Sequence, residues 1–226
     1  MKNLLFFAFV TYGVRRVLGK VVALVLIGHT AFAEEQVTIL AVGDSLTQGY
    51  GLIQEQGFVP QLNRWLEDQG AEVNLINAGV SGDTTAGGAA RVEWSLTPDV
   101  DAMIVALGGN DLLRGLDPSE ARKNISKILQ VAQARELPVL LVGIEAPRNY
   151  GPEYKQAFDA IYPDLSAQFG TLYFKSFFDG LGDGGPAALQ PFFQADGIHP
   201  NAEGVGKIVA AMGPRVVELI ERAADK

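Results

Sequence analysis

Ser45, Asn110, Asp196 and His199 are the residues of this chain whose types and positions could together do covalent chemistry. A serine hydroxyl becomes a useful nucleophile at neutral pH only beside a base. The chain has no cysteine and 2 histidines, of which His29 falls in an apolar N-terminal stretch. His199 is therefore the base on offer. Asp196 stands just before it, near enough in sequence to orient its ring. An acyl-transfer transition state also needs donors for a developing oxyanion. The backbone N–H groups of Ser45 and Gly79 and the side-chain amide of Asn110 could supply them.

Other readings of the same residues exist. Asp44 or Ser45 could do no more than cap a helix, as could Asp196, and Asn110 alone reads as a turn residue. A metal-dependent hydrolase could draw ligands from Asp44, Asp83, Asp111, Asp196 and His199. One histidine among scattered acids fits such a site poorly. A carbohydrate- or lipid-binding module without catalysis would have no need of Ser, His, Asp and Asn together.

Position is the strongest argument for the catalytic reading, with the metal-dependent hydrolase and the binding module kept as alternatives. The apolar run 37–42 reads as a buried strand stopped by Gly43, so Ser45 follows a strand end. Val73 to Ile76 reads as a second strand, leading into Asn77-Ala78-Gly79. The uninterrupted run Ala102 to Leu107 has the signature of a parallel strand covered on both faces, and Asn110 follows it. Val139 to Ile144 and Leu172 to Phe174 read as the fourth and fifth strands. Helical spacing appears over 58–69, 84–96 and 154–169, the last interrupted by Pro163. Another helix starts at Asp117-Pro118-Ser119-Glu120, a cap with Pro at the first position and Glu at the third. The final helix runs from about Ala202. Residues 179–194 are Gly-rich and read as a long irregular loop. Alternating strands and helices with short connections predict a single α/β domain, one doubly wound parallel sheet. In such a sheet every candidate group lies at the same, C-terminal edge.

The composition is that of an ordinary globular chain, 48% hydrophobic, with net charge −8 and pI about 4.8. Without a basic patch, nucleic acid is not an expected partner. Residues 1–33 carry Lys2, Arg15, Arg16 and Lys20 but no acid, then the apolar run 21–27 and Ala31-Phe32-Ala33. This order predicts a signal peptide cleaved after Ala33, leaving a domain of residues 34–226. Arg15-Arg16 also admits a twin-arginine route, second to the general secretory one.

The blocks Gly43-Asp44-Ser45-Leu46-Thr47-Gln48-Gly49-Tyr50-Gly51, Asn77-Ala78-Gly79-Val80-Ser81-Gly82, Gly108-Gly109-Asn110-Asp111 and Asp196-Gly197-Ile198-His199-Pro200-Asn201 resemble the four blocks of the SGNH (GDSL) hydrolase family. The likeness is greatest to its multifunctional thioesterase, lysophospholipase and arylesterase branch. It implies a flavodoxin-like three-layer α/β/α sandwich with strand order 2-1-3-4-5. It implies Ser45, His199 and Asp196 as a triad, and Ser45, Gly79 and Asn110 as an oxyanion hole. It implies hydrolysis of esters and thioesters in the periplasm or outside the cell, with carbohydrate-ester deacetylation as an alternative. No cofactor or metal is expected. The expected partner is a small-molecule acyl ester or thioester, taken by a monomer without a stable membrane anchor once the signal is removed. Leu112 to Leu116 match the branch's mobile loop. Leu112, Leu113 and Leu116, with Ile144, Pro147 and Phe192 opposite, are the expected walls of an open acyl groove.

Overall fold

The computed structural model describes residues 36–182 and 186–225. The expected signal segment, its Ala33 cleavage site and part of the Gly-rich loop lie outside these residues. The described chain is a five-stranded parallel sheet in the order β2-β1-β3-β4-β5. Its strands are β1 Val37–Gly43, β2 Val73–Gly79, β3 Ala102–Ala106, β4 Val139–Val142 and β5 Leu172–Phe174. The helices, in chain order, are α1 Ser45–Gln48, α2 Phe58–Asp68, α3 Thr85–Ser95, α4 Gly109–Leu113, α5 Pro118–Ala134, α6 Pro152–Asp159, α7 Ile161–Phe169, α8 Pro186–Leu189 and α9 Ala202–Ala224.

The sheet exists because its central strands are apolar at every position but Thr38 and buried throughout, so both faces must be covered. Ile39, Ala41, Ile104 and Leu140 pack on one side with α2 and α9, through Leu62, Leu66, Ile208 and Met212. Leu40, Val42, Met103 and Leu141 pack on the other, with Val92, Ile125, Ile128 and Leu165 of α3, α5 and α7. Gly43 is paired with Gly79 on one side and Ala106 on the other. Strands β1, β2 and β3 therefore finish level with one another. Ser45 at the start of α1, Gly79 at the end of β2 and Asn110 in α4 all sit at or just beyond that line.

Strand β4 stops at Val142, short of the expected Ile144, a helix, α4, forms over Gly109–Leu113, and three further elements differ from the sequence expectation. Strand β2 runs past Ile76 to Gly79 despite its polar end. The Asn77 side chain leaves the sheet to donate to the Thr47 and Gln48 carbonyls at 3.2 and 3.4 Å, closing the end of α1. The helix expected over 154–169 is two helices, broken at Ala160 rather than at Pro163. Pro163 sits in the first turn of α7, where a missing N–H forfeits no helical bond. The described C-terminal part of the Gly-rich stretch is more ordered than its composition suggests, with α8 and a 3₁₀ turn over Gln190–Phe192.

The β3–α4 connection needs its glycine. Gly108 has φ +125°, and a Cβ there would meet the Tyr162 hydroxyl. That hydroxyl is buried and donates to the Leu107 carbonyl at 2.9 Å. Beyond it, the buried Asp111 carboxylate accepts from the Thr85 N–H at 2.8 Å and the Thr85 hydroxyl at 2.6 Å, tying α4 to the start of α3. Replacing Asp111 with Ala leaves two buried donors unmet, which predicts a loss of about 2–3 kcal/mol in stability. Urea unfolding of Asp111→Ala against wild type measures it, and equal midpoints would contradict it.

Candidate active site

Asp44 caps α1, its Oδ1 accepting from the Leu46 N–H at 3.0 Å. This cap starts the helix immediately after β1 and sets Ser45 at its first position. The Ser45 hydroxyl lies 2.9 Å from His199 Nε2. His199 Nδ1 lies 2.7 Å from Asp196 Oδ2. Asp196 Oδ1 accepts from the Ile198 and His199 N–H groups at 2.9 and 3.0 Å, folding the loop back on its own carboxylate. These bonds, that from the His199 N–H first, hold Asp196 down at about 2, so it stays ionised at any working pH. An ionised carboxylate fixes the Nδ1–H tautomer and leaves the Nε2 lone pair facing the serine. The Tyr50 ring leans on the imidazole at 4.6 Å between centroids.

The donors around Ser45 differ from expectation at one position. The Gly79 N–H is already occupied by Asn77 Oδ1 at 2.9 Å, at the end of a paired strand. It is not available to a substrate oxygen in this arrangement. Gly82, later in the same connection, offers an N–H that meets no acceptor among the described residues. The Asn110 amide donates to the Asp83 carbonyl at 2.9 Å and only distantly, at 3.4 Å, to Asp44 Oδ2. Asp83 follows Gly82 directly, so Gly82 and Asn110 are neighbours. Glycine content alone does not distinguish Gly79 from Gly82, because the distinction rests on which N–H Asn77 captures.

Asp44 is a second carboxylate of the site with the opposite electrostatics. It is 2% exposed, and burial raises it from 3.8 to about 6 against the pull of its hydrogen bonds and of His199. The acids considered as metal ligands are dispersed: Asp83 pairs with Arg91, Asp111 with Thr85, and Asp196 with His199. Among the described residues no three acids or histidines gather as a metal site.

A cavity of about 450 Å³ opens beside Ser45, Asn110 and His199. Leu112, Leu113, Ile144 and Pro147 line it. Leu116 does not: it lies beyond the wall, its carbonyl bound by the Tyr154 hydroxyl at 2.8 Å. Phe192 does not line it either, because its ring lies under Lys207 on α9, 4.7 Å from Nζ. The neighbouring Phe193 faces the cavity instead, with Phe178, Tyr150 and Ile198. These came from segments whose apolar spacing carries no sign of which face looks inward.

The profile of the GDSL-like lipase/acylhydrolase family matches residues 41–206 of the chain. Esterase TesA of Pseudomonas aeruginosa is 39% identical over 199 residues, 88% of this chain and 95% of that protein. Thioesterase 1/protease 1/lysophospholipase L1 of Escherichia coli is 34% identical over 200 residues, 87% of this chain and 90% of that protein. Among solved structures, the SGNH-hydrolase family esterase AlinE4 is 43% identical, with a TM-score of 0.68 over 81% of this chain and 96% of that one.

The raised Asp44 carboxyl makes a signed prediction. The folded state holds its proton up to about pH 6 while the unfolded chain releases it near 3.8. Stability from this group is therefore present at low pH and lost as pH rises through that window, by about 3 kcal/mol in full. Asp44→Asn keeps an oxygen for the Leu46 N–H and has no charge to bury. It should gain stability relative to wild type on going from pH 4 to pH 8 in urea unfolding. A difference that does not change with pH would contradict this.

Proposed function

The chain belongs to the GDSL-like lipase/acylhydrolase family of SGNH hydrolases and is a carboxylic ester hydrolase; we propose that it works through an acyl-enzyme on Ser45. The observation that carries the reading is the unbroken relay from Ser45 Oγ to His199 Nε2 at 2.9 Å and from His199 Nδ1 to Asp196 at 2.7 Å. Ser45 Oγ attacks the substrate carbonyl carbon while its proton passes to His199 Nε2. The carbonyl electron pair moves onto oxygen. The donors that receive it are the Ser45 N–H, the Gly82 N–H and the Asn110 amide. Collapse returns the pair, breaks the bond to the alcohol, phenol or thiol, and His199 protonates that leaving group. A water then repeats the sequence. His199 takes its proton, its oxygen attacks the acyl carbon, and Ser45 leaves with the proton restored, releasing the carboxylic acid. Asp196, ionised throughout, stabilises the imidazolium formed at each stage.

The acyl chain lies in the cavity walled by Leu112, Leu113, Ile144 and Phe193. Each methylene it buries there contributes at most about 0.8 kcal/mol. Nothing in the relay selects the leaving group, so thioesters are accepted with esters. Relatives named esterase and thioesterase agree with that breadth. The enzyme acts outside the cytoplasm after removal of residues 1–33, a reading that rests on the order of bases, apolar run and Ala31-Phe32-Ala33. Among the described residues no helix is long and apolar enough to cross a membrane.

Ser45→Ala and His199→Ala should each lower kcat by at least about 10³-fold, and the double variant by little more, because the two act as a unit. Turnover of p-nitrophenyl butyrate by the three purified variants measures this. A Ser45→Ala enzyme that keeps a tenth of wild-type activity would rule out the covalent route.

A further inference from the structure

Arg91 lies behind the site, on α3, and does not line the cavity. Its guanidinium is nonetheless pulled inward, with the side chain only 12% exposed. Nε donates to Asp83 Oδ2 at 2.7 Å and Nη2 to the Gly43 carbonyl at 2.9 Å. Both partners belong to segments that deliver oxyanion donors. Gly43 ends β1 just before Ser45, and its carbonyl also accepts from the Val80 N–H at 3.0 Å. Asp83 follows Gly82, and its own carbonyl is the anchor of the Asn110 amide at 2.9 Å. The Asp83 carboxylate is held so closely against α3 that a Cβ on Gly87 would lie 2.4 Å from Oδ1. One planar cation thus bridges the strand end that presents Ser45 and the turn that aims Asn110.

We propose that Arg91 is a positioning residue that holds the Ser45 and Asn110 oxyanion donors at their mutual spacing through Gly43 and Asp83. The proposal rests on the oxyanion role assigned to Asn110 above. Two donors directed at one oxygen lose their advantage when their spacing drifts, since the electrostatic gain depends on their being set before charge develops. A rigid fork suits this task because it reaches two acceptors at once. A lysine ammonium at the same place reaches one of them at a time.

The test is steady-state kinetics on p-nitrophenyl butyrate for Arg91→Met, Arg91→Lys, Asn110→Ala and Arg91→Met/Asn110→Ala, below the unfolding onset of every variant. Arg91→Met should lower kcat by about 10- to 100-fold with KM within about twofold, as loss of transition-state binding requires. Arg91→Lys should fall between Arg91→Met and wild type. In the Asn110→Ala background, Arg91→Met should lower kcat by a clearly smaller factor than it does in the wild-type background, because one of the two donors whose spacing it sets is gone. If Arg91→Met does not fold, Asp83→Asn, which removes the charge partner and keeps the backbone anchor, should show the same dependence on Asn110. Losses that multiply in the double variant, a loss confined to KM, or wild-type kcat in a folded Arg91→Met would each overturn the proposal. Wild-type kcat in Asn110→Ala would instead overturn the oxyanion role of Asn110, and the proposal with it.

Discussion

The site depends on where β1 ends. Its last residue, Gly43, stands level with Gly79 of β2 and Ala106 of β3, and the parallel register puts all three loop exits on one line. Hydrogen bonding along the ladder enforces that alignment, and apolar burial on both faces prevents a slip. A one-residue shift of β1 would exchange Ile39 and Ala41 with Leu40 and Val42 between the two cores. It would also move Ser45 away from His199, whose loop is carried independently by α9. Catalytic spacing is therefore a consequence of strand register more than of any single contact at the surface.

Two carboxylates close to Ser45 are driven in opposite directions by that framework. Asp196 sits in an exposed loop that wraps N–H groups around it, and is held at about 2. Asp44 is enclosed beneath α1 with one firm donor, and is raised to about 6. The first is suited to holding a positive imidazole, since it never loses its charge. The second is a helix cap that tolerates protonation, because capping the Leu46 N–H needs only an oxygen lone pair. Residue type alone does not separate the two, whereas burial and donor count do.

Much of this was legible in the sequence. Nearly continuous apolar runs named the central strands because a strand buried on both faces has few polar positions to spare, Thr38 being the one in β1. The convergence of Ser45, Asn110, Asp196 and His199 followed from parallel topology before any distance was known. The extension of β2 through Asn77 was not legible, because the side chain's partners are carbonyls of α1, distant in sequence. The other end of that amide, Asn77 Oδ1, occupies the Gly79 N–H, which was no more legible. Leu116 and Phe192 failed as cavity walls for a related reason: in loops and single turns, apolar character says that a side chain packs but not against what. Arg91 carries no local signal at all. A basic residue on a helix reads as solvent-facing until Gly43 and Asp83 are seen beneath it.

The central claim is that every substrate passes through one acyl group on Ser45. Partitioning tests it most directly. Phenyl, p-nitrophenyl and thiophenyl butyrates are hydrolysed in a fixed concentration of methanol, and methyl butyrate and butyric acid are quantified. A shared butyryl-Ser45 intermediate forgets its leaving group, so the ratio of methyl ester to acid should be the same for all three substrates. A ratio that changes with the leaving group would mean that water or methanol attacks the substrate directly, and would contradict the account.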